Sequence, residues 1–198
     1  MDLMVRDSRA EFGWVFGNYA YNGKQNQENR WYNLVPVGVM WGNDPDVVAS
    51  STNPTPTKTI INPALKQTII NPDTAELPPM HLGWGSRLDG PVDNAASSCM
   101  SCHSTAQYPA KSAIMPFLQK PNSIPTPADG TNASQAWMKW FRNVPCATTF
   151  DSGTISMDYS MQMLKSVQNY IEWRDQSQQG RFAIEYGGKG HKVRRSAR

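Results

Sequence analysis

Ser98-Cys99-Met100-Ser101-Cys102-His103 holds two cysteines three positions apart with a histidine next to the second, the pattern C-x-x-C-H. This is the spacing of covalent haem attachment. On one helical turn the two thiols share a side and can each form a thioether with a porphyrin vinyl group, while the adjacent imidazole reaches the iron from one face. A chance match in a chain of this length is on the order of one in a thousand, given how scarce Cys and His are.

Three other readings compete. A redox-active C-x-x-C pair opens a helix in a βαβ setting, and no such alternation surrounds Cys99 and Cys102. A closed zinc site needs four ligands in recognisable pairs, and Cys146, His81 and His191 form no second pair. A structural disulfide, or two buried thiols, is the third.

Cys99, Cys102 and His103 resemble the haem-binding motif of c-type cytochromes. The run Gly90 to Gln107 around them resembles that of uncharacterised bacterial mono-haem cytochrome-like proteins. The resemblance implies one covalent haem c, with His103 as the proximal ligand. It also implies attachment outside the cytoplasm, and hence a periplasmic or otherwise exported protein. Met1 to Ser8 shows no basic segment followed by an apolar one, so no signal peptide is read there; the expectation is a portion of a longer exported precursor.

The chain has 198 residues, enough for one domain with a real core or for a small haem domain plus an added lobe. Its hydrophobic share is 39%, and no run approaches the roughly 18 apolar residues of a membrane span. Of the net charge of +3, Lys189, Lys192, Arg194, Arg195 and Arg198 supply five positive charges within the last ten residues, so the body carries a net −2. The basic tail reads as a solvated end with no nucleic-acid role. Three segments follow: a β-rich lobe over 1–80, a haem-binding cytochrome c-like region over 81–186, and a flexible basic tail over 187–198.

Over 11–48, Phe12, Trp14 and Phe16 alternate, as do Tyr19 and Tyr21, and Asn22-Gly23 marks a turn. Trp31 to Trp41 is an apolar run that Pro36 confines to a sheet edge or splits, closed by a turn at Asn43-Asp44-Pro45. The clustered aromatics make a sheet core or, on a sharper reading, a ligand platform. Thr59-Ile60-Ile61-Asn62-Pro63 recurs as Thr68-Ile69-Ile70-Asn71-Pro72, which predicts two short matching strands.

Gly83, Gly85 and Gly90 lie in a loop leading to the motif, where glycine permits close backbone approach. Pro91 is placed to start the motif helix, and Tyr108-Pro109 to end it. A helix capped by Asn132 or Ser134 carries Trp137, Trp140 and Phe141 on one side. The last element is an amphipathic helix of about twenty residues, capped by Ser156 or Asp158, with Met161, Leu164, Val167 and Ile171 at helical spacing down to Gly180. The expected class is therefore α+β, a β-rich aromatic N-terminal half with a small helical haem-binding part.

The second axial ligand decides what the iron does: Met raises the potential, His lowers it, and an open position allows ligand binding or oxygen chemistry. Met157, directly before the last helix, resembles the loop methionine of small c-type cytochromes. Met115 and His81 are the alternatives, and no long amphipathic helix leads into Cys99 as it does in small cytochromes. Cys146 reads as a small buried hydrophobe or, as the odd cysteine of an exported protein, one that pairs with another chain. The expected function is one-electron transfer with a redox partner protein, an electron carrier more than a catalyst. The alternative is a haem enzyme or sensor with an open iron and an aromatic binding lobe.

Overall fold

A computed structural model describes residues 1–47, 58–89, 94–114 and 137–186. The class is α+β. Four antiparallel strands, β1 (Asp2–Arg6), β2 (Trp14–Tyr21), β3 (Leu34–Met40) and β4 (Thr68–Ile70), form a sheet in sequence order. Sheet formation starts nearer the chain's beginning than expected, because Asp2–Arg6 finds a full register against Trp14–Asn18.

Register explains the aromatic pattern. Met4, Phe16, Met40 and Thr68 form one row across the four strands, and its hydrophobic members face the core; Leu3, Gly17, Val39 and Ile69 form the next row, on the solvent side. Phe16 is therefore inside, while Tyr19 and Tyr21 lie on the opposite face of the same strand. The register slips at Asn18/Tyr19, where Asn18 pairs with Gly38 but Tyr19 pairs with Pro36. Val37 is thus an extra residue on β3, a β-bulge that lets Val35, Val37 and Met40 all face inward. Pro36 sits in an interior strand, paired with Tyr19 of β2 beside the bulge, while β4 ends short of it. The Trp31 end of the expected strand is instead a 3-10 turn, Arg30–Asn33, capped by the Asn29 side chain, and leaves Trp31 and Tyr32 exposed.

The two matching pentapeptides part company. Thr68–Ile70 pairs with β3, whereas Thr59–Ile61 forms no strand. What they share is local: Asn62 and Asn71 each accept the N–H two residues on, from Ala64 and Asp73, both at 3.0 Å. The Asx turn is written in the pentapeptide, and the strand depends on a partner.

The sheet's inner face closes on Leu77, Leu82, Leu88, Cys99, Met100, Val144, Phe150 and Tyr159, so one core draws on both the early and the late parts of the chain. A second cluster joins Trp84, Ala96, Trp137 and Phe141. Trp137 and Phe141 are buried and their helical turn stops at Phe141, before Pro145; the expected caps Asn132 and Ser134 lie outside the described residues. Arg87 lies against this cluster, with its guanidinium 4.9 and 5.0 Å from the ring centroids of Trp84 and Phe141.

Helix α1 is short, Cys99–His103, and starts at Cys99 instead of near Pro91; it is over before Tyr108-Pro109, which follows in β5 (Gln107–Tyr108). β5 pairs with β6 (Ile155–Ser156) and brings the segment after the motif against the one preceding the last helix. That helix, α2, runs Met161–Tyr186, through Gly180. Its cap is Ser160, whose Oγ accepts the Met163 N–H at 3.2 Å, in place of Ser156 or Asp158. Its first three turns are amphipathic, with Leu164 buried and Met161, Val167 and Ile171 half-buried, whereas Glu172 to Gln176 are exposed on every side. No helix among the described residues is long and apolar enough to cross a membrane.

Candidate functional site

Ser98 caps α1 reciprocally: its Oγ accepts the Ser101 N–H at 3.0 Å, and the Ser101 Oγ accepts the Ser98 N–H at 2.8 Å. Serine takes the part that Glu or Gln usually plays in such a box. The cap is held from outside by Asn43, whose Oδ1 accepts the Ser98 hydroxyl at 2.7 Å. Asn43 is fully buried with every polar group in use. Its N–H donates to Asn143 Oδ1 at 2.7 Å, its Nδ2 to the Arg142 carbonyl at 3.3 Å, and its carbonyl accepts from Arg87 Nε at 2.5 Å. The Leu88 carbonyl takes the Cys99 N–H at 3.0 Å. These bonds fix the motif helix before any cofactor is considered.

The expected need for glycine upstream is met, against a different neighbour. A Cβ on Gly83 would lie 2.0 Å from the Ser97 carbonyl oxygen, so only glycine fits where this loop crosses the residue before the cap.

Cys99 is 7% exposed and Cys102 half-buried, and both are free thiols. Burial, then the nearby Asp89 charge, pushes the Cys99 thiol well up and Cys102 up to about 11. A thiol held neutral is the opposite of one in a redox-active pair, which works as a thiolate. A thioether has neither proton nor charge, so the apolar setting that penalises a thiolate does not penalise it. Among the described residues no group of three or more His, Cys, Asp or Glu gathers around a common point.

His103 is half-buried. Its ring packs on Phe16 of β2, centroids 5.1 Å apart, and its Nδ1 stands 2.9 Å from the Tyr159 carbonyl. A carbonyl only accepts, so Nδ1 carries a proton, and in the neutral ring the lone pair is on Nε2. No described residue bonds to Nε2. This is the arrangement by which proteins hold a metal-ligating imidazole, the outer nitrogen pinned to the backbone and the other presented.

The Tyr159 carbonyl is aimed by a tight turn, Met157 to Ser160, closed by a 2.9 Å bond from the Ser160 N–H to the Met157 carbonyl. Asp158 and Tyr159 both have positive φ, 47° and 66°. Non-glycine residues adopt that only when their surroundings hold them. The Tyr159 hydroxyl donates to the Val144 carbonyl at 2.5 Å, and burial pushes its ionisation up.

The other expected ligands fall as follows. Met157 opens the turn whose Tyr159 carbonyl faces His103 Nδ1, and its N–H donates to the Ala106 carbonyl at 2.9 Å. Met115 lies outside the described residues. His81 is 6% exposed; its Nδ1 is 2.8 Å from the Pro78 carbonyl, its N–H donates to Thr59 Oγ1 at 2.9 Å, and its Nε2 is buried with no partner among the described residues. It repeats the His103 pattern, one nitrogen fixed on a carbonyl and the other open. Cys146 is half-buried and fills the notch at Gly13, where a Cβ would lie 2.9 Å from its Sγ.

Sequence reasoning missed Asn43, Ser98 and Tyr159. Ser98 carried a signal, a serine directly before the motif; Tyr159 carried none, since it acts through its backbone oxygen from 56 residues away.

No family model, curated protein or solved structure matches the chain. What it does is read from this site.

Proposed function

We propose that the chain is a c-type cytochrome-like electron carrier, with one haem c joined to Cys99 and Cys102 and its iron held by His103 Nε2. One observation carries the reading: the histidine completing C-x-x-C-H has its Nδ1 proton fixed on a backbone carbonyl and its Nε2 open. The burial of the thiols beside the Asp89 carboxylate supports it, since it suits uncharged thioethers and disfavours a redox dithiol. When bound, haem supplies a ferrous–ferric couple that passes one electron at a time. The protein's part is to hold the proximal imidazole, keep water from the sulfurs and leave an edge to a redox partner. Residues 81–186 are then a cytochrome c-like part, and attachment by dedicated machinery carries with it an exported location.

The test is a pyridine haemochrome spectrum with intact mass, on the full chain made with export and haem maturation. A c-type band and one added haem are expected. An unmodified mass with free thiols at Cys99 and Cys102 overturns the reading.

The candidates for a second axial ligand are Met157, Met115 and His81, and one observation favours His81. His81 has a buried lone pair that no described residue satisfies, and an unmet buried polar atom costs about 1–3 kcal/mol. Loaded wild-type protein is therefore expected to be six-coordinate, low-spin and indifferent to carbon monoxide. His81→Ala opens the site, giving a high-spin spectrum that shifts with that gas. Carbon monoxide binding to the wild type would favour an open-site enzyme or sensor instead.

A further inference from the structure

We propose that Asp158 is a positioning residue for the motif imidazole, and that the N-terminal sheet acts on His103 through it. Part of the test rests on the haem reading and part does not.

Asp158 precedes the residue whose carbonyl takes the His103 proton, and its own carboxylate is fully engaged. Oδ1 accepts from Trp14 Nε1 at 3.2 Å and from the Ala147 N–H at 2.8 Å; Oδ2 accepts from Arg6 at 2.7 Å. Its backbone N–H donates to Ser156 Oγ at 3.1 Å. Arg6 and Trp14 are register partners on β1 and β2, and the guanidinium also lies 5.5 Å from the Trp14 ring centroid. One carboxylate therefore ties the end of the sheet to the turn, while Phe16, two residues along β2, presses on the imidazole itself.

The turn needs that hold. Both central residues are in the left-handed region, which a side chain disfavours. Released at Asp158, the turn relaxes toward ordinary dihedrals, the peptide after Tyr159 rotates, and Nδ1 loses its acceptor. Nothing then fixes the proton on Nδ1, and the neutral ring populates the Nε2–H form, whose coordinating lone pair is blocked. The ion pair with Arg6 contributes little, since it is half-exposed. The two bonds to Oδ1 do the holding, and an asparagine keeps both.

Nitrogen-15 NMR of the His103 ring reads the tautomer directly, in the full chain made without haem maturation and at a pH where the ring is neutral. Wild type and Asp158→Asn are expected to hold mainly the Nδ1–H form. Asp158→Ala, with unfolding still cooperative, shifts the ratio of Nδ1–H to Nε2–H roughly fivefold toward the latter, as loss of one ordinary hydrogen bond implies. A folded Asp158→Ala with the ratio unmoved overturns the proposal. Should that variant not fold, Trp14→Phe, which keeps the ring and loses one donor, decides: a smaller shift in the same direction supports the proposal, and no shift overturns it. In the loaded protein Asp158→Ala raises the midpoint potential and Asp158→Asn does not, because a less basic imidazole favours ferric iron less. A moved tautomer in a chain that never takes up haem supports Asp158's role and removes the carrier reading. An unmoved tautomer in a haem-bearing chain does the reverse.

Discussion

Replacing Arg87 with methionine is expected to destabilise the fold by about 3–5 kcal/mol, a large part of the roughly 5–15 kcal/mol that holds a domain of ordinary stability. Arg87 is fully buried, and its guanidinium donates to the carbonyls of Asn43 (2.5 Å), Trp84 (3.2 Å), Asp44 (2.7 Å) and Val47 (2.5 Å). Burial pushes its pKa down to about 10, partly offset by the Asp44 charge, so it stays a cation at neutral pH. Exchanging a buried ion pair for apolar side chains is often harmless, because both charges go. Here the acceptors are backbone oxygens that no substitution removes: methionine leaves the Asn43 and Val47 carbonyls without a donor among the described residues, and those of Trp84 and Asp44 with one backbone N–H each. Lysine recovers only part, since a point charge lacks the planar fork that reaches several carbonyls at once. Urea unfolding measures this, with Arg142→Met as control: exposed, stacked on Phe150 at 4.2 Å and donating to the Phe150 carbonyl, it is expected to cost about 1–2 kcal/mol. A loss at Arg87 no larger than the control's would mean that water serves those carbonyls equally well.

The second large effect is chemical. Cys99→Ala with Cys102→Ala is expected to abolish covalent haem entirely, read as an unmodified intact mass after production with haem maturation. The fold should survive. Cys99 is small and buried, Cys102 half-buried, and losing one sulfur from a core costs on the order of 1 kcal/mol. The unloaded double variant, unfolded in urea beside the unloaded wild type, separates the two causes. Covalent haem persisting in the double variant would show that it is attached elsewhere.

How much of this the sequence discloses depends on how far apart the partners are. The motif is legible because Cys99, Cys102 and His103 need only one helical turn to act together. The turn at Asn43-Asp44-Pro45 and the burial of Phe16 and Leu164 are legible for the same reason; the Asx turns at Asn62 and Asn71 are as local, but the pentapeptides read as two strands instead. The failures are all tertiary. Thr59–Ile61 and Thr68–Ile70 are identical, and only a sheet edge beside the second makes it a strand. The inward placement of Val37 and Met40 together follows from a bulge that no alternation shows. A buried arginine breaks the pattern that charged residues follow, so nothing in the sequence singled out Arg87, and Asn43 read as turn and nothing more. Tyr159 acts through its backbone, which every residue has.

The contacts that complete the wall behind His103 also order events in time. Trp14 and Arg6 meet Asp158 across 144 and 152 positions. Loops of that length close late, and folds that depend on them are slow. A chain emerging from its N-terminus presents both cysteines well before Asp158 exists to be gripped. On the proposed reading, haem is joined to an open chain, and the sheet, the turn and the imidazole lock together around a cofactor already in place.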